Sequence, residues 1–255
     1  MEGLSLEEKI GQMLVVGFHG TTAPPHIIQW LNEGRIGGVI LFARNITTPR
    51  QVRELTQSLH QAAKYPILIA IDQEGGTVAR LREGYTESSG AMALGAADDP
   101  RLTEQVSMIL GTELRALGVN WNLAPAIDIT HNINNPSVGT RSLGSDPVHV
   151  ARHAKAQVTG FQKAGVAATA KHYPGKANTP VDPHVELPVI TGDLDQMWNT
   201  DLLPFKAAIE ADVASILITH VQFKDIEPKY PSTLSPRIIQ GLLREKMGYR
   251  GLVTT

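Results

Sequence analysis

Cysteine is absent from the 255 residues, which excludes disulfides and thiolate metal sites and fits any compartment. No apolar run approaches the roughly 20 residues of a membrane span. An excess of one charge is lacking too. Twenty-three basic residues face 25 acidic ones, and a net charge of −2 gives no electrostatic case for nucleic acid or an anionic membrane. The first ten residues have no basic stretch followed by an apolar one, so no signal peptide is read there and the cytoplasm is the expected compartment. They read instead as a helix start, with Ser5 as N-cap and Glu8 at the capping-box position. No GxGxxG or GxxxxGK pattern offers a phosphate loop. Gly-rich or Pro-rich linkers are also missing, and the length suits one large core, so residues 1–255 are taken as a single domain.

What is present is an alternation. Short apolar runs at 13–18, 38–42, 67–72, 119–124, 166–172, 215–220 and 251–255 are separated by amphipathic stretches such as 49–64, 101–117, 147–164 and 202–211. Strands alternating with helices imply βαβ units and a parallel sheet. Polar residues end many of the runs: Asp72, Asn122, Lys171 with His172, and His220. A doubly wound sheet gathers its site at one switch point, whereas a barrel draws on the ends of several strands. The expected fold is therefore α/β, a (β/α)₈ TIM-type barrel truncated after its seventh strand. The long segments after Asp72 and Ala124 read as extended βα loops.

The stretch from Lys171 to Pro188 is the most informative. It places Lys171 and His172 at a strand end and then presents Asp182 and His184 two residues apart. Asp182 precedes Pro183, which favours extended backbone, and residues i and i+2 of an extended chain face the same way. The carboxylate can then orient the imidazole and favour its charged form, which suits a general acid. The bland alternative is a loop histidine capping a carbonyl. His172, Asp182 and His184 offer three metal ligands, but neither their spacing nor a helix supports a metal site. Asp72 and Arg80 suit a ligand rich in hydroxyls, against the alternative of a strand-end turn with a solvated arginine. Gly75-Gly76 either admits a ligand to the backbone or only makes the turn. Arg141 lies in a long polar loop and is read as a substrate contact or a loop staple, and Asp128 as structural. His220 is placed at the pocket wall. His131, His149 and His153 are read as surface or loop residues, and Trp30 and Trp198 as helix packing.

Three segments in order resemble glycoside hydrolase family 3, in its bacterial β-N-acetylhexosaminidase branch. Ile71-Asp72-Gln73-Glu74-Gly75-Gly76 resembles IDQEGGxVxR. Asn122-Leu123-Ala124-Pro125 with Arg141-Ser142-Leu143-Gly144 resembles NxAPxxD…RSFG. Lys171-His172-Tyr173-Pro174-Gly175 with Asp182-Pro183-His184 resembles KHFPGHGDTxxDSH. The resemblance runs from about residue 6 to 255. It implies a retaining glycosidase of β-linked N-acetylglucosamine with no metal or organic cofactor. Asp72, Arg80, Arg141, Lys171 and His172 would hold the terminal sugar, and His184, oriented by Asp182, would be the acid/base.

The departures carry expectations of their own. Gly175-Lys176-Ala177-Asn178-Thr179 stands where the family has Gly-His-Gly-Asp-Thr, and Pro183 replaces a serine. The family's nucleophilic aspartate would follow Thr255, so this chain is expected to be inactive by itself. Open barrel edges invite self-association. Rival readings are a glycoside phosphorylase of the same fold and an inactive sugar-binding fragment.

Overall fold

The computed structural model describes residues 3–131, 135, 137–176 and 187–255. Seven strands form one parallel sheet in sequential order: β1 (Val15–Gly17), β2 (Gly38–Leu41), β3 (Leu68–Ile71), β4 (Trp121–Asn122), β5 (Ala167–Tyr173), β6 (Ser215–Ile218) and β7 (Leu252–Thr254). Each falls inside an apolar run predicted from sequence, except that β5 extends one residue past its run, to Tyr173. Every neighbouring pair is in parallel register, with Val15 opposite Gly38, Gly38 opposite Leu68, Ala70 opposite Trp121, Trp121 opposite Ala167, Thr169 opposite Ser215, and Ser215 opposite Leu252, and the β5–β6 register shifts between Lys171 and Tyr173. Sequential parallel order with helical crossovers is the winding of a (β/α)₈ barrel. Among the described residues seven barrel strands are present, and the sheet is open between β1 and β7.

The helices start where local chemistry dictates. Ser5 caps α1 (Leu6–Gly11) in a full capping box with Glu8, as predicted. The outer helices α3 (Pro49–Ala62), α5 (Pro100–Ala116) and α6 (Pro147–Lys163) share one device. Thr48, Asp99 and Asp146 accept a backbone N–H from the first turn, and proline follows at the first helical position, where no donor is needed. Two further helices, α2 (Pro25–Asn32) and α4 (Ala91–Ala97), precede α3 and α5. Beyond α6 come α7 (Leu194–Asn199), α8 (Leu203–Glu210) and a π-type helix, Arg237–Lys246.

Two large apolar clusters fill the space between sheet and helices. One is built on Ile69, Leu41 and Leu59, the other on Phe161, Phe205 and Tyr173. No helix of the described residues is long and apolar enough to cross a membrane.

The segment after Asp72 is more than the loop expected from sequence. It forms a two-stranded hairpin, Gln73–Gly75 with Val78–Ala79, and then α4. Gly75 and Gly76 sit at φ 89° and 58° and make the hairpin turn, a conformation that favours glycine. Asn122, buried at the end of β4, accepts from the Gln73 backbone N–H at 3.0 Å and donates to its carbonyl at 2.9 Å, fastening this hairpin over the barrel mouth.

Candidate active site

The carboxyl ends of β3, β5, β6 and β7 surround a cavity of about 370 Å³ whose lining includes Asp72, Arg80, Arg141, Lys171, His172, Lys176, His220 and Thr255. All five residues expected to hold a ligand are therefore brought together, and His220 lies at the wall as expected. Asp182 and His184 lie outside the described residues.

In a regular strand Lys171 and His172 would point to opposite faces. Here pairing with β6 shifts register between Lys171 and Tyr173, and both side chains reach the cavity. The peptide between them is cis. Lys171 is almost fully buried. Its Nζ donates to Asp72 Oδ1 at 2.8 Å and lies 2.6 Å from Glu74 Oε1. Arg80 Nη2 holds the other oxygen of Asp72 at 3.3 Å. Arg141 grips Glu74 with two bonds, Nη2 to Oε1 at 2.7 Å and Nε to Oε2 at 2.9 Å, while its Nη1 donates to the Ser137 carbonyl at 2.7 Å. Three cations and two carboxylates thus form one lattice. Its buried part compensates charge on both sides, as a site out of water requires.

Burial alone pushes the Asp72 and Glu74 carboxyls up, but Lys171, joined by Arg80 at Asp72 and by Arg141 at Glu74, outweighs it and holds both below the usual carboxylate range. Both are anions at neutral pH.

His172 is oriented by Asp128, which lies on the segment after β4. His172 Nδ1 is 2.7 Å from Asp128 Oδ2, and the other Asp128 oxygen accepts the Lys176 backbone N–H at 2.9 Å. Burial pushes the His172 pKa down to about 4, against the pull of Asp128. The ring is therefore neutral at pH 7, with Nδ1–H donating to Asp128 and the Nε2 lone pair turned to Arg141 Nη2 at 3.5 Å. That makes Nε2 an acceptor at the cavity. Lys176 is also buried, which lowers its pKa to about 8.

Sequence reasoning missed Glu74, the carboxylate that ties Arg141 to Lys171. Its signal was available, because Asp72 and Glu74 are two residues apart and an extended chain puts both on one side. Asp128, read as structural, positions the imidazole. Arg80, for which a solvated arginine was the alternative, is instead paired with Asp72. Of the three histidines read as surface or loop residues, His131 is partly exposed and bonds Asp201 at 2.9 Å, whereas His153 is fully buried inside α6. That corrects its reading: His153 falls on the inner face of the helix.

The His172 environment gives a pH dependence with a definite sign. An unfolded histidine takes up a proton near pH 6.5 that folded His172 refuses until about pH 4. Its contribution to stability is full above about pH 6.5 and declines as pH falls toward 4. His131 acts oppositely: Asp201 raises its pKa, so its contribution is present at low pH and lost as pH rises through the folded value. The measurement is therefore a difference. His172→Asn keeps a donor near Asp128 and should show a shallower loss of stability between about pH 6.5 and 4.5 than the parent. Equal slopes would mean that His172 is not held neutral.

A parallel barrel sheet with a charge-lined cavity at the carboxyl ends of its strands is where proteins of this architecture bind ligands and do chemistry. The chain belongs to glycosyl hydrolase family 3: it matches the Glycosyl hydrolase family 3 N terminal domain over residues 5–255. It is 38% identical over 247 residues to the beta-hexosaminidase of Stenotrophomonas maltophilia (strain R551-3), covering 94% of this chain and 73% of that protein. Among solved structures it resembles the glycoside hydrolase family 3 beta-N-acetylglucosaminidase from Paenibacillus sp. str. FPU-7. That match has 44% identity and a TM-score of 0.96, covering 98% of this chain and 49% of the other. Native NagZ from Neisseria gonorrhoeae matches with 30% identity and a TM-score of 0.89, over 94% of this chain and 72% of that one. The chain thus spans about half the length of the Paenibacillus protein.

Proposed function

We propose that this chain supplies the sugar-binding and acid/base parts of a retaining exo-glycosidase that releases terminal β-linked N-acetylglucosamine. The observation that carries the reading is the ion lattice at the cavity, in a chain of this family. Sugar hydroxyls both donate and accept, and the lattice offers fixed partners of each kind. Asp72 and His172 Nε2 accept, while Arg80, Arg141 and Lys171 donate. Because these groups are held by one another, they are in place before the sugar arrives, which lowers the cost of binding. Beta-hexosaminidase relatives support the choice of sugar.

In the proposed reaction a carboxylate attacks the anomeric carbon and His184 protonates the departing oxygen. The glycosyl-enzyme then yields to water, activated by the same imidazole. Asp182 orients His184 throughout. The attacking aspartate is assigned to the position following Thr255.

The leaving group tests this assignment. In protein continued through an eighth βα unit, His184→Ala should slow substrates with poorly departing alcohols by about 10²–10⁴-fold, the usual worth of a general acid. Activated aryl β-N-acetylglucosaminides, which need no proton, should be slowed far less. Equal losses on both would reduce His184 to shaping the pocket.

The open sheet bears on the state of the 255-residue chain. Val15 on β1 and Leu252 on β7 are exposed, as are Met13 and Leu14 beside β1. Unpaired strand edges next to apolar side chains favour pairing with another chain. Sedimentation of this chain should show self-association that an added eighth strand suppresses. A monodisperse monomer melting as high as the extended form would contradict it.

A further inference from the structure

On the outside of the barrel, away from the cavity, Asp98, His149 and His153 bring one carboxylate and two imidazoles together, with all three donor atoms within 4.8 Å of one another. We propose that these residues bind a zinc ion that pins α4 to α6.

The two histidines are four apart on α6, so they share one face of the helix. Asp98 ends α4 in the left-handed region, at φ 47°, which turns the chain toward them. Asp98 Oδ1 is 3.2 Å from His149 Nδ1 and 3.8 Å from His153 Nε2. Ligands about 2.0–2.1 Å from a tetrahedral zinc stand about 3.3 Å apart. Asp98 and His149 already have that spacing, and His153 must draw in toward them on binding.

His153 supplies the independent sign of a ligand. It is fully buried, and its Nε2 has no hydrogen-bond partner. Asp98, at 3.8 Å, is beyond hydrogen-bond reach. A buried polar nitrogen left unmet is costly, and a metal ion would meet it. Its tautomer is also set. His153 Nδ1 is 2.8 Å from Thr103 Oγ1, and the Thr103 hydroxyl has the Asp99 carbonyl as its own acceptor at 3.3 Å. Nδ1–H therefore donates to Thr103, and the Nε2 lone pair faces the cluster. A ligand histidine fixed through its far nitrogen is the usual supporting arrangement of a metal site.

A half-exposed arginine currently occupies the carboxylate. Arg152 Nη2 is 2.9 Å from Asp98 Oδ1 and 3.5 Å from His149 Nδ1. Zinc would displace it into solvent. Three protein ligands and a water complete a tetrahedron. Helix α4 packs closely on the segment after Arg141: Gly95 touches the backbone at Leu143 so tightly that an added Cβ would overlap the Leu143 carbonyl. Pinning α4 would therefore stiffen the support of the Arg141 turn.

The test is a zinc titration of metal-free protein against a chromophoric chelator, repeated with cobalt to read the coordination geometry. The expected result is one zinc per chain, with cobalt absorption of a four-coordinate site. Asp98→Asn and His149→Ala change exposed or partly exposed side chains and should weaken binding at least about tenfold. Arg152→Ala should tighten it several-fold, because the competing cation is gone, an effect a purely structural histidine would not produce. Binding unchanged in Asp98→Asn and His149→Ala would place the zinc elsewhere and overturn the proposal. So would no binding by the parent at about 100 µM zinc.

Discussion

Lys171→Met is expected to cost about 3–5 kcal/mol of stability and to remove sugar binding. Lys171 is the shared partner of two carboxylates in the least exposed part of the cavity, 2.8 Å from Asp72 and 2.6 Å from Glu74. Methionine fills much the same volume but leaves the two anions facing each other without the cation between them. Arg141 still holds Glu74 and Arg80 still holds Asp72, so the protein should fold, but the carboxylates are no longer kept in one orientation. At about 2–4 °C per kcal/mol for a domain of this size, the melting temperature should fall by roughly 10 °C. Asp72→Asn keeps the shape and should cost less stability while losing a fixed sugar acceptor. A Lys171→Met protein that melts within a degree or two of the parent would show that the lattice is not a buried, mutually dependent unit.

Turnover is expected to depend on a carboxylate following Thr255. Among the described residues Asp72 is the only acid lining the cavity, and Lys171 and Arg80 already occupy its two oxygens. A nucleophile needs a free oxygen aimed at the anomeric carbon. Thr255, just beyond the last residue of β7, lines the same cavity. The 255-residue chain should hydrolyse an aryl β-N-acetylglucosaminide more slowly, on the order of 10⁴-fold or more, than a version continued with aspartate and an eighth βα unit. Asparagine at the added position should return the rate to that of the short chain. Saturable turnover by the short chain at the rate of the extended one would remove the nucleophile from that position.

The barrel was legible because its inner strands, β2 to β6, are largely buried on both faces and therefore appear as short apolar runs between amphipathic helices. Helix starts were legible where a side chain acts locally, as at Ser5. The site was legible in part. Asp72, Lys171 and His172 sit at strand ends, where strand direction brings them to the carboxyl end of the barrel, but that Lys171 and His172 both enter the cavity goes with a register shift the sequence does not announce. Glu74 and Asp128 were harder, because each acts on a partner distant in sequence: Arg141 is 67 residues from Glu74, and His172 is 44 from Asp128. His153 was misread for a related reason. Imidazoles at positions 149 and 153 look polar in a linear sequence, and only the packing of α6 on α5 decides which one turns inward.

The most direct test of the sugar-binding claim is to titrate the 255-residue chain with N-acetylglucosamine and map the perturbed resonances by NMR. Shifts should concentrate at Asp72, Arg80, Arg141, Lys171 and His172, saturate together, and be lost in Asp72→Asn. The claim would be contradicted by a saturating sugar that perturbs none of these residues, or that leaves the same map in Asp72→Asn.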